Sequence, residues 1–400
     1  MTALDLFPPT RTAALERLSA FVPKAGRAYA ARRNYDHGPG QHGDVSTLSP
    51  YVRCRLITEA EILTAVLGRH SEKSAEKFIQ EVFWRTYWKG WLERRPTVWE
   101  AYQHDLRQAW DAVQSQTGLR DRWTCACLGN TDIECFNNWA QELVSMGYLH
   151  NHARMWFASI WVFTLELPWQ LGADFFLRHL LDGDPACNTL SWRWVAGLQT
   201  VGKTYQARAD NIAKYTNGRF RPRGQLAQTA APRSGQPVPP PQALRALPPV
   251  DRGLKTGLLL HHDDLSPGYV FDQAAPVSLC HVAVENGISP LLPAPHVGDF
   301  RTAATRDSVA RYQHRVDTVT EARSLDDILS WAARERLGQI VMTEPPVGPV
   351  AAFMDRLATH PDAPLLRPLR RPYDQAAWPH ATTGFFGFRK AIPDLIARLN

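Results

Sequence analysis

Asp182-Gly183-Asp184-Pro185-Ala186-Cys187-Asn188-Thr189-Leu190-Ser191-Trp192-Arg193-Trp194 packs two carboxylates, one carboxamide and two indoles into thirteen positions. Thirty-one residues before Asp182 begins Asn151-His152-Ala153-Arg154-Met155, which supplies an amide and a guanidinium able to meet those carboxylates. Either charge buried alone is expensive, and a pair reduces that cost. The rest of the chain takes its meaning from these two runs.

The 400 residues are 44% hydrophobic and 21% charged, enough for at least one large core and, by length, two domains. A net charge of +6 is compatible with a polyanionic partner without establishing one. Between Lys203 and Lys255, however, ten Lys and Arg stand against two acidic residues. That window suits phosphate contacts or a solvated connector. The six cysteines, Cys54, Cys125, Cys127, Cys135, Cys187 and Cys280, form no Cys-x-x-Cys pair. No metal site is expected, and reduced thiols in a cytoplasmic protein are. The N-terminus carries Asp5, Pro8 and Pro9 where a secretory signal needs an apolar run, and Met155–Leu165 is too short to span a bilayer.

Hydrophobic periodicity predicts helices at Glu72–Arg94, Val98–Gln114, Glu134–Met146 and Leu149–Leu165, punctuated by Gly147, Pro168 and Gly172. Eight prolines between Pro222 and Pro249 predict an extended, mobile connector. Beyond it, β-rich runs at Thr256–His261, Val277–Val284 and Gln339–Met342 alternate with helical runs at Thr302–Val316, Ser324–Arg336 and Val347–Thr359. The expected fold class is a mainly α-helical domain plus a smaller α/β domain with a mostly parallel, Rossmann-like sheet. The divisions are 1–221, 222–252 and 253–400. No Gly-x-Gly-x-x-Gly fingerprint is present.

Further motifs precede the opening cluster. Tyr29 and Arg33 lead into Ser46-Thr47-Leu48-Ser49-Pro50, whose hydroxyls and amides suit a phosphate loop and, taken alone, equally an ordinary turn. Gln80-Glu81-Val82-Phe83-Trp84-Arg85 puts an acid, an indole and a cation on one helical face; alone, it equally reads as an ion pair beside a core tryptophan. Gly147-Tyr148-Leu149-His150-Asn151-His152-Ala153-Arg154-Met155 follows. In this order, the motifs resemble the flavin-binding domain of the photolyase and cryptochrome family over roughly half the chain. Family domain order is reversed here, with the antenna-like α/β part, including its closing run Trp378 to Phe388, placed last.

The resemblance implies non-covalent FAD held by Tyr29, Ser46, Thr47, Leu48, Ser49, Asn151, Arg154, Asp182, Asp184 and Asn188, with Arg154 paired to Asp182 and Asn188 beside flavin N5. It implies a lesion in damaged DNA met by Glu81, Trp84, Arg85, Asn151, Met155 and Trp194. Trp192, Trp169 and Trp110 correspond to the electron-relay indoles, although any one of 14 tryptophans is more often packing. The pattern departs from the family at Tyr148, at His152 (Arg in the family) and at Leu190-Ser191 (paired glycines in the family). Lys203, Arg208 and Lys214 suit DNA phosphates at the rim or solvated helix charges. The implied activity is light-driven cyclobutane dimer repair; the alternative is a cryptochrome-like photoreceptor signalling through a protein. A second antenna chromophore has no readable motif.

Overall fold

A computed structural model describes residues 2–284 and 289–399. The N-terminal half is helical and the later part carries a five-stranded, all-parallel sheet, so the mixed fold class holds. Of the expected helices, Glu134–Met146 has the same bounds, and Glu72–Glu93 and Thr97–Ser115 shift by a residue or so. Leu149–Leu165 begins later, at Asn151, because the His150 ring accepts the His152 amide and caps that end. Its last turn widens into a π-helical Ile160–Thr164.

Pro185–Val195, the helix of the opening cluster, starts where the Asp184 carboxylate accepts the Cys187 amide at 2.8 Å and Pro185 takes the first turn. The helix packs on Glu72–Glu93, on Asn151–Ser159 and on Trp169–His179. Gly172 makes the last contact possible. A Cβ there would lie 2.4 Å from the Trp192 ring and 2.9 Å from Trp161, so only glycine admits the indole against the helix.

The sheet runs β3-β2-β1-β4-β5, with β1 Thr256–His261, β2 Ser278–Val282, β3 Thr318–Ala322, β4 Gln339–Thr343 and β5 Leu365–Leu369. Strands β1 and β4 are buried throughout, as sheet-centre strands covered on both faces must be. The edge strands β3 and β5 escaped the sequence reading, because Thr318-Val-Thr-Glu-Ala322 is largely exposed and β5 contains Pro368. Topology reverses between β1 and β4, and such switch points open at the strand C-termini. Here those ends, His261–Asp264 and Thr343–Glu344, are buried, and Asp263 and Asp264 meet Arg53 and Arg55 of the helical part.

The proline-rich stretch is extended but tied down, contrary to the expectation of a mobile connector. The Ala227 amide reaches Thr164 Oγ1 at 3.1 Å, and the Arg233 amide reaches the Ala196 carbonyl at 3.0 Å. The Gln242 amide donates to Arg94 O, and Arg95 Nε donates to Pro239 O. Backbone groups that cannot pair within a helix or sheet have found partners on the helical surface. After β5 the chain returns to the helical part. Trp378 seats on Gly90, where a Cβ would lie 2.8 Å from its ring, and the Tyr87 hydroxyl donates to Thr383 O at 2.8 Å.

Candidate functional site: a cleft between three helices

Each of three packed helices leaves one accessible stripe. On Pro185–Val195 the residues with accessible surface are Cys187, Ser191 and Trp194, spaced i, i+4, i+7. Asn151, His152, Arg154 and Met155 are the accessible members at the start of the next helix, and Glu81, Trp84, Arg85 and Trp88 lie on the third. Several of these residues keep some solvent-exposed surface while their titrating groups feel burial. Desolvation raises Glu81 against the pull of Arg33, and pushes the Cys187 thiol up. The three stripes lie on helices that meet at Pro185–Val195, which packs on both of the others.

Arg154 grips Asp182 bidentately, Nη1 to Oδ1 at 3.1 Å and Nη2 to Oδ2 at 2.8 Å. The Asp182 side chain is 5% exposed and that of Arg154 24%, so the pair opens on the cleft from the guanidinium side. Despite the desolvation that opposes it, Asp182 holds the Arg154 guanidinium above its usual range. Arg154 Nε is fixed by Leu149 O at 2.9 Å and its plane lies over the Tyr148 ring. Asn188 is buried, its Nδ2 donating to Ala173 O at 2.8 Å.

A second feature lies beyond Tyr148 and Phe7, whose rings are 5.4 Å apart. A cavity of about 210 Å³ is lined by Arg17, Lys24, His42, Ser46 and Thr47, among others. Thr47 adopts φ +48° and its Oγ1 accepts from Arg17 Nη1 at 2.6 Å. His42 Nδ1 is buried without a hydrogen-bond partner. Two cations and the Ser46 hydroxyl suit an anionic phosphate group, whereas Thr47 Oγ1 already donates to Ser46 O at 2.8 Å and His42 Nε2 faces the Glu142 carboxylate at 3.1 Å. Motif reading supplied Ser46 and Thr47 but not Arg17, Lys24 or His42, which come from surrounding segments with no local signature. Leu48 is buried, Ser49 opens a short helix, and Tyr29 packs edge-on against Phe21 and Phe78.

Other expected residues are engaged elsewhere. Asp184, expected at a flavin edge, caps its own helix and faces Arg85 at 3.3 Å and Lys89 at 3.8 Å. Burial would raise its carboxyl, but Arg85, Lys89 and Arg53 hold it far below the carboxylate range. Arg85, expected at the substrate, belongs to the same buried network as Glu59 and Asp184. Glu81 pairs with Arg33. One face of Trp84, expected to stack on lesion bases, is covered: Phe385 lies on it with ring centroids 3.7 Å apart and planes 11° apart. That ring comes from the C-terminal return of the chain, and Trp84 keeps part of its surface accessible. Trp194 is stacked with Tyr205. Trp192 is enclosed by Phe157, Trp161 and Phe176, Trp169 adjoins Tyr102, and Trp110 adjoins Trp123. The helices bearing the three relay candidates pack on one another.

A helical domain with a guanidinium–carboxylate clamp and a phosphate-suited cavity, joined to a doubly wound sheet, is the class this geometry defines. Residues 78–228 match the FAD binding domain of DNA photolyase. The deoxyribodipyrimidine photo-lyase of Agrobacterium fabrum is 29% identical over 196 residues, 48% of this chain and 39% of that protein. That of Thermus thermophilus is 31% identical over 202 residues, 50% of this chain and 46% of that protein. A crystal structure of a bacterial class III photolyase from Agrobacterium tumefaciens is 25% identical, with a TM-score of 0.41 over 52% of this chain and 43% of that one. The chain thus spans less than half the length of each of these relatives. Over this helical stretch it is similar to the FAD binding domain of DNA photolyases.

Proposed function

We propose that this chain is a light-dependent DNA-repair flavoprotein, a cyclobutane pyrimidine dimer photolyase with non-covalent FAD. The division is a helical flavin domain over 1–221, a connector over 222–252 and an antenna-like α/β domain over 253–400. The observation that carries the reading is the Arg154–Asp182 clamp beside packed helices whose accessible stripes carry Asn151, Met155, Ser191 and Trp194. The donor set fits the cofactor: Arg154, Asp182 and Asn188 at the ring system, and Ser46, Arg17 and Lys24 at the phosphates. When bound, FAD supplies light-driven one-electron chemistry.

The protein's share is placement and electrostatics. Arg154, already tied to Asp182 and Leu149 O, presents fixed positive charge without reorganising. Asn188, anchored through Nδ2, keeps its carbonyl end oriented by that bond. Asn151 and Met155 border the mouth where a base taken out of the DNA stack enters; photolyases are among the enzymes for which such base flipping is the general rule. Trp192, buried beside Trp161, would give an electron inward, with Trp169 and Trp110 on the helices packed behind it. Lys203 and Lys214 suit the DNA backbone, whereas Arg208 is already paired with Asp210. Among the described residues no helix is long and apolar enough to cross a membrane.

The test is a dimer-containing oligonucleotide illuminated with blue light beside a dark control. Light-only loss of the dimer supports repair. A second reading, a cryptochrome-like photoreceptor, is favoured by the Phe385 ring over Trp84, since a covered lesion platform suits signalling better than repair. It predicts light-dependent protein binding with no dimer loss.

A further inference from the structure

We infer that Tyr205 and His152 form a proton-coupled electron donor beside the cleft, in which Tyr205 gives an electron by way of Trp194 and its phenol proton passes to His152 Nε2.

Three observations place these atoms. The Tyr205 hydroxyl lies 3.3 Å from His152 Nε2. His152 Nδ1 lies 3.0 Å from the Asn34 carbonyl, which only accepts, so Nδ1 carries the hydrogen and Nε2 presents a lone pair. Tyr205 therefore donates. Finally, the Tyr205 ring is stacked on Trp194 with centroids 5.6 Å apart and planes 29° apart, and Trp194 is on the accessible stripe of the helix that carries Asn188. The imidazole is itself held flat against Trp156, 4.0 Å between centroids.

Oxidising a phenol without removing its proton produces a strongly acidic cation, so a base in hydrogen-bond contact lowers the barrier. Burial pushes the Tyr205 phenol up to about 12 and lowers His152, opposed by its Asn34 bond. At neutral pH the pair thus rests as neutral phenol and neutral imidazole. Arg33 nearby disfavours a charged imidazole and Asp36 favours it, while Arg208 lowers the phenol. The step balances: one electron leaves Tyr205 for the light-excited oxidised flavin, the O–H bond breaks, an N–H bond forms at Nε2, and a neutral tyrosyl radical faces imidazolium. The family motif carries Arg at this position, which cannot accept a proton; the His at 152 is what makes the pair possible here.

The inference rests on the flavin reading above, and the two fail differently. Illuminated holoprotein carrying ring-deuterated tyrosine, frozen and examined by electron paramagnetic resonance, is expected to show a tyrosyl signal. That signal should fall at least tenfold in Tyr205→Phe and in His152→Gln. A signal undiminished in Tyr205→Phe, or no tyrosyl signal in wild-type protein that has bound and photoreduced its flavin, overturns the inference alone. Nitrogen-15 NMR of the folded protein without flavin gives a second reading: His152 is expected as the Nδ1–H tautomer, and an Nε2–H tautomer overturns the proposal whatever the variants do. A folded chain that binds no flavin overturns both readings, and flavin absorbance identifies that case.

Discussion

Phe385 is the residue that tests whether Trp84 receives a base. Its ring covers one face of Trp84, and both ends of its turn are glycines, Gly384 and Gly387. Phe385→Ala should raise affinity for dimer-containing DNA several-fold and change Trp84 fluorescence, at a stability cost of about 3 kcal/mol, as for other buried Phe→Ala changes. Unchanged affinity would mean that the ring does not compete with substrate. Trp192 tests the relay. Trp192→Phe keeps an aromatic ring against Gly172 while making oxidation harder, so flavin photoreduction should slow at least tenfold in a stopped-flow illumination assay; an unchanged rate removes Trp192 from the relay.

Between elements, the two halves are joined by buried charge. Arg53, Arg55, Arg85, Lys89 and Arg371 face Glu59, Asp184, Asp263, Asp264 and Asp374. Removing one partner strands the other in low dielectric, so Asp263→Ala should cost about 3–5 kcal/mol in urea unfolding. Arg53→Met combined with Asp263→Leu should recover most of that loss, because the stranded charge is gone. A double-variant loss equal to the sum of the two single-variant losses would mean the pair is not coupled. None of this network was legible in the sequence. Asp184 sits in the most informative run of the chain, yet its partners are 95 to 131 positions away, and the Arg53–Asp263 contact depends on how the helical and α/β parts dock. Local signals fared better. The Glu134–Met146 helix was legible because Gly147 at φ +64° ends it, and β1 because six buried residues need an apolar run. The edge strands were not, since exposed strands carry little hydrophobic pattern.

At the scale of the molecule, acid and base stress different groups. Against the desolvation of burial, Arg55, Arg85 and Lys89 hold Glu59 down at about 2, while Asp184 and Asp263 lie lower still. Folded pKa values below unfolded ones give stability that is complete above about pH 4.5 and is lost as pH falls toward 2, so unfolding should set in below that pH. Glu93 has the opposite sign. Burial, aided by Glu344 and opposed by its bond from the Val347 amide, raises it to about 8. The folded chain then holds a proton that the unfolded chain has released above the ordinary glutamate value of 4.5. Stability should decline from about pH 4.5 to about 8 through this group, and Glu93→Gln should flatten that decline in urea midpoints measured at about pH 5.5 and about pH 8.5. A slope unaffected by the substitution assigns it elsewhere.

The clamp is the claim on which the flavin reading depends, and it was legible because Arg154 and Asp182 each sit in a recognisable run. Equilibrium dialysis of the purified chain against FAD, read by absorbance and run beside Asp182→Asn, tests it most directly. One tightly held flavin per wild-type chain, with occupancy at least tenfold lower in the folded variant, is the predicted result. A wild-type chain that is folded and takes up no flavin, or a variant that binds it as well, contradicts the account.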